Sequence, residues 1–120
     1  MGFTIESIFP YLAITGKTLT NLDENKSGAD DFAGALLSYV AEVGQAVVDD
    51  EELPAIPELV RKGTGDKITG VARASLLIAD NLLTFAQFQV SGKARKIFKY
   101  AAEALSALLA GETVPTAPSF

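Results

Sequence analysis

Apolar residues recur every three or four positions along most of the chain, the period of helices that each turn one face toward a core. Near the start, Ile5, Ile8, Phe9 and Leu12 form such a row; Pro10 marks a kink or a restart within it, and Gly16 reads as its stop. A longer stripe of Phe32, Leu36, Tyr39, Val40, Val43 and Val47 predicts a core-facing helix from about Ala29 to Val48, with Asp31, Ser38, Glu42 and Gln45 on its other side. The punctuated stretch DDEELPAIPELVRKGTGD reads as an ordered elbow, with Pro57 at the first position of a short helix that Gly63 ends. From about Lys67 to Gln89 the apolar positions Ile68, Val71, Ala72, Leu76, Ala79, Leu82, Leu83 and Ala86 surround a narrow polar stripe of Thr69, Arg73, Asp80, Thr84 and Gln87. Leu77 falls within that polar stripe, and Ile78, Phe85 and Phe88 widen the apolar face. Either three neighbouring helices or a second subunit must cover such a helix. The last helix starts at Gly92 or Lys93, presents Ala94, Ile97, Phe98, Ala101, Leu105 and Leu108 on one face, and stops at Gly111.

No stretch alternates apolar and polar residues between turn signals as a strand does. The expectation is therefore an all-α fold: a bundle of four main helices with one short elbow helix, occupying residues 1–111 as a single domain, followed by a flexible Pro-containing tail over 112–120. Gly34, Ala35, Gly44, Gly70 and Ala74, inside the helices, suit close helix crossings, since an interior glycine otherwise costs about 1 kcal/mol relative to alanine.

Composition narrows the chemistry. The 120 residues are enough to bury about two-thirds of the surface of the unfolded chain without disulfide or metal. There is no cysteine and no histidine, which removes thiol nucleophiles, Ser-His-Asp triads and structural zinc. The remaining candidates for an enzymatic site are Asp80 and Arg73, seven apart on one stripe, and their simpler role is that of a partly enclosed polar pair. The expectation is a protein that is not an enzyme and uses no cofactor. MGFTIESIFPYL lacks the basic region and cleavage site of a secretion signal, and Glu6 stands where N-myristoylation needs Ser or Thr, so the chain reads as cytoplasmic. Its longest uncharged runs fall well short of the roughly 20 residues of a membrane span. With 48% hydrophobic residues, however, the chain carries more apolar surface than one small core hides, a common prelude to self-association.

Charge is distributed unevenly. Residues 1–60 hold 11 acidic and 2 basic side chains, net −9, and residues 61–120 hold 4 acidic and 8 basic, net +4, which together give −5. The densest blocks are Asp49, Asp50, Glu51 and Glu52, and Lys93, Arg95, Lys96 and Lys99. The first follows a helix C-terminus and the second opens a helix, each at the end whose dipole disfavours it. The blocks therefore pair within the molecule or between molecules in a head-to-tail contact, unless Glu51 and Glu52 start the elbow helix and the lysines form an ordinary solvated face. With Leu77, these two blocks are the candidate interaction residues.

Three local motifs compete with this reading. Asp23, Asn25, Ser27 and Asp31 match ligand positions of an EF-hand calcium loop, but the closing acid is replaced by Gly34 and the pairing apolar residue by Asp30, so any calcium site is weak. Ser27 followed by Asp30 accounts for the same letters as a helix cap. TGKT, at 15–18, lacks the preceding glycine and strand of a phosphate-binding loop. Gly92 with Lys93 and Lys96, or Gly65 with Lys67, would form an anion or phosphate seat at a helix start. The basic cluster interleaves Phe98 and Tyr100, yet Phe98 belongs to the core stripe and the chain is acidic, so nucleic acid is not an expected partner. The favoured expectation is a self-associating structural or interaction protein, of the kind that builds larger, virus-like or phage-like assemblies. The alternative is a small-molecule or ion binding module.

Overall fold

The computed structural model describes residues 5–20, 28–65, 70–114, 116 and 117, with side chains from Phe9 onward except at 19–20, 28–30 and 70–72. Five helices follow one another: α1 Ile5–Thr20, α2 Gly28–Val48, α3 Glu58–Lys62, α4 Gly70–Ala86 and α5 Gly92–Ala110. The only extended pairing among the described residues is a single antiparallel bridge between Thr64 and Val114, so the fold is all-α as the periodicity predicts. The shortest dimension, 22 Å, equals two helix diameters. No described helix is long and apolar enough to cross a membrane.

The central element is α2, which packs against each of the other helices. Phe32, Leu36, Leu37, Val40 and Val43 are all fully buried, forming a face wider than the predicted stripe. Val47, expected in that stripe, is exposed: in the last turn of α2 only Ala46 still faces the bundle. Across the core, Phe9 of α1 meets Phe98 of α5 edge to face at a centroid distance of 5.9 Å, a favoured aromatic geometry.

Two glycines set how closely α1 and α2 cross. A Cβ on Gly16 would stand 2.6 Å from Ser38 Oγ and 2.8 Å from the Gly34 carbonyl oxygen, and one on Gly44 would enter the Phe9 ring. Gly16 is thus a contact point rather than the predicted stop, and α1 continues through it to Thr20. Nor does Pro10 restart the helix. It lies exposed near the N-terminal end, where its missing N–H removes one intrahelical bond.

Helix ends follow local stereochemistry. At the end of α5, Gly111 adopts the left-handed conformation (φ 78°), Glu112 N donates to Ala107 O at 2.9 Å, and Gly111 N donates to Leu108 O at 3.1 Å. The end of α2 repeats this arrangement with Asp50 in the glycine position (φ 54°) and Glu51 N donating to Ala46 O at 2.8 Å. Asp is among the few residues that tolerate this conformation. Helix α4 ends at Ala86 rather than Gln89, because Phe88 N and Gln89 N turn to carbonyls three residues back, those of Phe85 and Ala86.

The elbow lies between α2 and α4. Pro57 occupies the N-cap of α3, one position earlier than predicted, and Gly63 caps the other end. Glu51 and Glu52 do not start this helix; they belong to the preceding connector. Two described residues of the stretch 112–120, expected to be a flexible tail, are bonded to the elbow. Val114 is buried and exchanges hydrogen bonds with Thr64 at 3.0 and 2.8 Å, and Ala117 N donates to Arg61 O at 2.9 Å. These are backbone bonds, which hydrophobic periodicity cannot foretell.

Candidate functional site

Helix α4 has two faces. Leu76, Ala79, Leu83 and Ala86 are fully buried against the bundle. On the opposite side Leu77, Ile78, Phe85 and Phe88 are 49%, 51%, 47% and 66% exposed, and Ala74, Asn81 and Thr84 between them are exposed too. At about 100° per residue, positions 74, 77, 78, 81, 85 and 88 fall within roughly 100° of arc, so they form one continuous stripe. If a large side chain has about 200 Å² of surface, the four large residues alone expose roughly 400 Å². That is within the range of the largest apolar patch on a typical monomer, a feature that is often functional. Of the two alternatives for covering this helix, its own neighbours leave this side open.

Phe88, in the closing turn, is the most exposed of the four and is held in place. The Arg95 guanidinium carbon lies 5.8 Å from its ring centroid, while Arg95 Nε donates to the Gln87 carbonyl at 3.1 Å. Arg95, predicted as part of a free basic block, thus caps the end of α4 with a cation where the helix dipole favours one. The contact fixes the turn that carries Phe88.

The other predicted interaction residues are accessible but are not brought together. Asp49, Asp50, Glu51 and Glu52 are exposed beyond α2, and Lys93, Lys96 and Lys99 are exposed on α5. Among the described residues the ion pairs are Glu58 with Arg61 at 3.3 Å and with Lys62 at 3.6 Å, so neither block is neutralised by the other. Asp49 instead accepts a hydrogen bond from Gln45 Nε2 at 3.0 Å.

Asp80 and Arg73 do not pair either. Arg73 is exposed, and the Asp80 carboxylate accepts from Ser106 Oγ of α5 at 3.2 Å. Seven residues along a helix is about 10 Å of rise, too far for an ion pair that a bond to α5 already replaces. Partial burial pushes the Asp80 pKa up, and the Ser106 hydroxyl offsets part of that shift. Burial likewise raises Tyr39 and Tyr100, the latter with its hydroxyl 3.5 Å from the Val60 carbonyl.

Of the calcium candidates, Asp23, Asn25 and Ser27 lie outside the described residues, and Asp31 is exposed at the start of α2. Among the described residues no three carboxylates converge as metal ligands. Of the anion candidates, Gly92 is exposed with φ 63°, a value that suits glycine, and Lys93 and Lys96 are exposed beside it. Gly65 is exposed, and Lys67 lies outside the described residues. A separate open groove of roughly 410 Å³ runs between α1 and α2, over Phe9, Ala13 and Ile14 with Lys17 and Glu42 at its rim.

In the sequence, Leu77 stands out as an interaction residue, while Ile78, Phe85 and Phe88 read only as excess apolar surface. The seven-residue spacings of 78 with 85, and of 74 with 81 and 88, were the available signal that these residues form one seam. The chain matches no protein-family model, no curated protein and no solved structure.

Proposed function

We propose that this chain is a non-enzymatic structural or interaction protein that self-associates through the outer face of α4, serving as a building block of a larger cytoplasmic assembly. The observation that carries this reading is the stripe of Leu77, Ile78, Phe85 and Phe88, four large apolar side chains about half exposed or more, on α4 and its closing turn. Scattered apolar residues on a surface need no explanation, but a contiguous row of this size does. The aromatic pair Phe85 and Phe88 is of the type enriched at interface centres. The charge blocks at 49–52 and 93–99 remain solvated and unpaired with each other. Their part is to steer encounters between subunits rather than to hold them.

Replacing Leu77 and Phe88 together by Asp tests this. Both side chains are exposed, so helix content should be preserved while the mass in solution falls to that of a monomer. An unchanged oligomeric mass would remove α4 from the interface.

A further inference from the structure

The outer stripe of α4 has a property that simple stickiness does not require: it is complementary to itself in reverse. Asn81 lies at its midpoint, exposed and flanked by apolar residues on both sides. When a second α4 is laid antiparallel across the first with Asn81 opposite Asn81, exposed Ala74 comes opposite Phe88, Leu77 opposite Phe85, and Ile78 opposite Thr84. Each large side chain then faces a smaller or matching one, and both ends of the seam have the same width. A parallel pair in the same register would put Phe88 on Phe88 and Ala74 on Ala74, opening one end of the seam and wedging the other. It would also align the two helix dipoles, which the antiparallel pair opposes.

From this we infer that the partner at this face is a second copy of the chain, joined by a two-fold axis that passes through Asn81. The inference rests on the self-association proposed above and supplies its symmetry and register. A two-fold contact is isologous, each residue meeting its mirror position on the other subunit, and such dimers are the commonest homo-oligomers. A carboxamide at the centre of an apolar helical seam fixes alignment, because only one register lets the two copies hydrogen-bond to each other. Any slip leaves both amides buried against hydrocarbon. The four large side chains supply roughly 400 Å², about half of one partner's share of a standard interface, and Ala74, Asn81, Thr84 and the flanking Arg73 and Gln89 lie where the second helix would cover them. In this arrangement Arg73 reaches the carbonyl end of the partner's α4, where a cation is favoured, and salt should leave the dimer intact.

The absence of cysteine makes the arrangement directly testable. Helices packed 8–10 Å apart bring facing Cα atoms to roughly 4–5 Å at the axis, within reach of a disulfide. By contrast, position 74 would lie about 21 Å along the axis from its own copy, from the rise of 1.5 Å per residue. Asn81→Cys, in which the pairing of Ala74 with Phe88, Leu77 with Phe85 and Ile78 with Thr84 still sets the register, and Ala74→Cys, each in the otherwise unaltered chain and each at an exposed site, are oxidised with diamide, which takes up the two thiol hydrogens as the S–S bond forms. The expected result is near-complete covalent dimer for the Asn81 variant and little for the Ala74 variant. Equal cross-linking of both would indicate a parallel pair and overturn the inference. Absence of cross-linking in either, with a dimeric mass by light scattering, would overturn the Asn81 axis while leaving self-association standing. A monomeric mass for the unaltered chain would overturn both.

Discussion

Helices α4 and α5 are of similar length and lie side by side, but they treat their outer faces differently. Outside its buried row, α5 exposes Lys93, Arg95, Lys96, Lys99, Glu103 and Ser106, the charged and polar residues expected of a helix that meets water. At the equivalent positions α4 exposes Leu77, Ile78, Phe85 and Phe88. The fold needs only one apolar face from each helix, and α5 shows that the other face can be polar at no expense to the bundle. The apolar outer face of α4 is thus not required by the packing of the described helices, and the self-association proposed above rests on that difference.

The contrast can be broken most sharply with two phenylalanines. Phe98→Ala on α5 removes a fully buried ring that stacks edge to face on Phe9 and should lower unfolding free energy by about 3–5 kcal/mol, measured by denaturant titration. Phe88→Ala on α4 should change it by no more than about 0.5 kcal/mol in dilute, monomeric protein, and its effect should emerge only as concentration rises. Large losses from both would mean that the outer face of α4 supports the fold after all.

The next largest effect lies at the close crossing of α1 and α2. A methyl group at Gly44 would collide with the Phe9 ring, so Gly44→Ala should destabilise by about 1–3 kcal/mol despite its gain in helix propensity, seen as a lower Tm. An unchanged Tm would show that Phe9 can move aside.

The smallest effect sharpens the boundary between α4 and α5. Partial burial raises the pKa of Asp80 in the folded protein, so its charged form is disfavoured there. The sign follows: its contribution is most favourable below the ordinary aspartate pKa and is lost as pH rises through the raised value. Asp80→Asn should therefore match the unaltered protein in acid and be slightly more stable near neutral pH, compared by thermal melts across that range. A variant that is less stable at neutral pH would mean that the ionised carboxylate and Ser106 form a net favourable pair.

Much of this architecture could be read from residue order. All six positions assigned to the core face of α5 are buried, and its stop at Gly111 is where a left-handed cap was expected. The surplus of apolar surface on α4 was also visible, but a helical wheel gives only the angles between residues, not which of them a neighbouring helix will cover. A glycine that ends a helix and one that admits another backbone look alike in sequence, so Gly16 reads as a stop although α1 runs through it. Arg95 was counted with its charged neighbours, since its bond to the Gln87 carbonyl depends on how the turn after α4 closes. The tail carries no periodicity, and the bridge between Val114 and Thr64 that holds it is made by backbone groups common to every residue.

The central claim, that the outer face of α4 is an interface between copies of this chain, is tested most directly by the absolute mass of the unaltered protein, measured by size-exclusion chromatography with light scattering in low and in high salt. A discrete dimer, or a higher oligomer built from dimers, is expected to persist in high salt because apolar contact holds it together. A monomer in both conditions would mean that α4 forms no such interface, and an oligomer that falls apart as salt is added would transfer the interface to the charged blocks at 49–52 and 93–99.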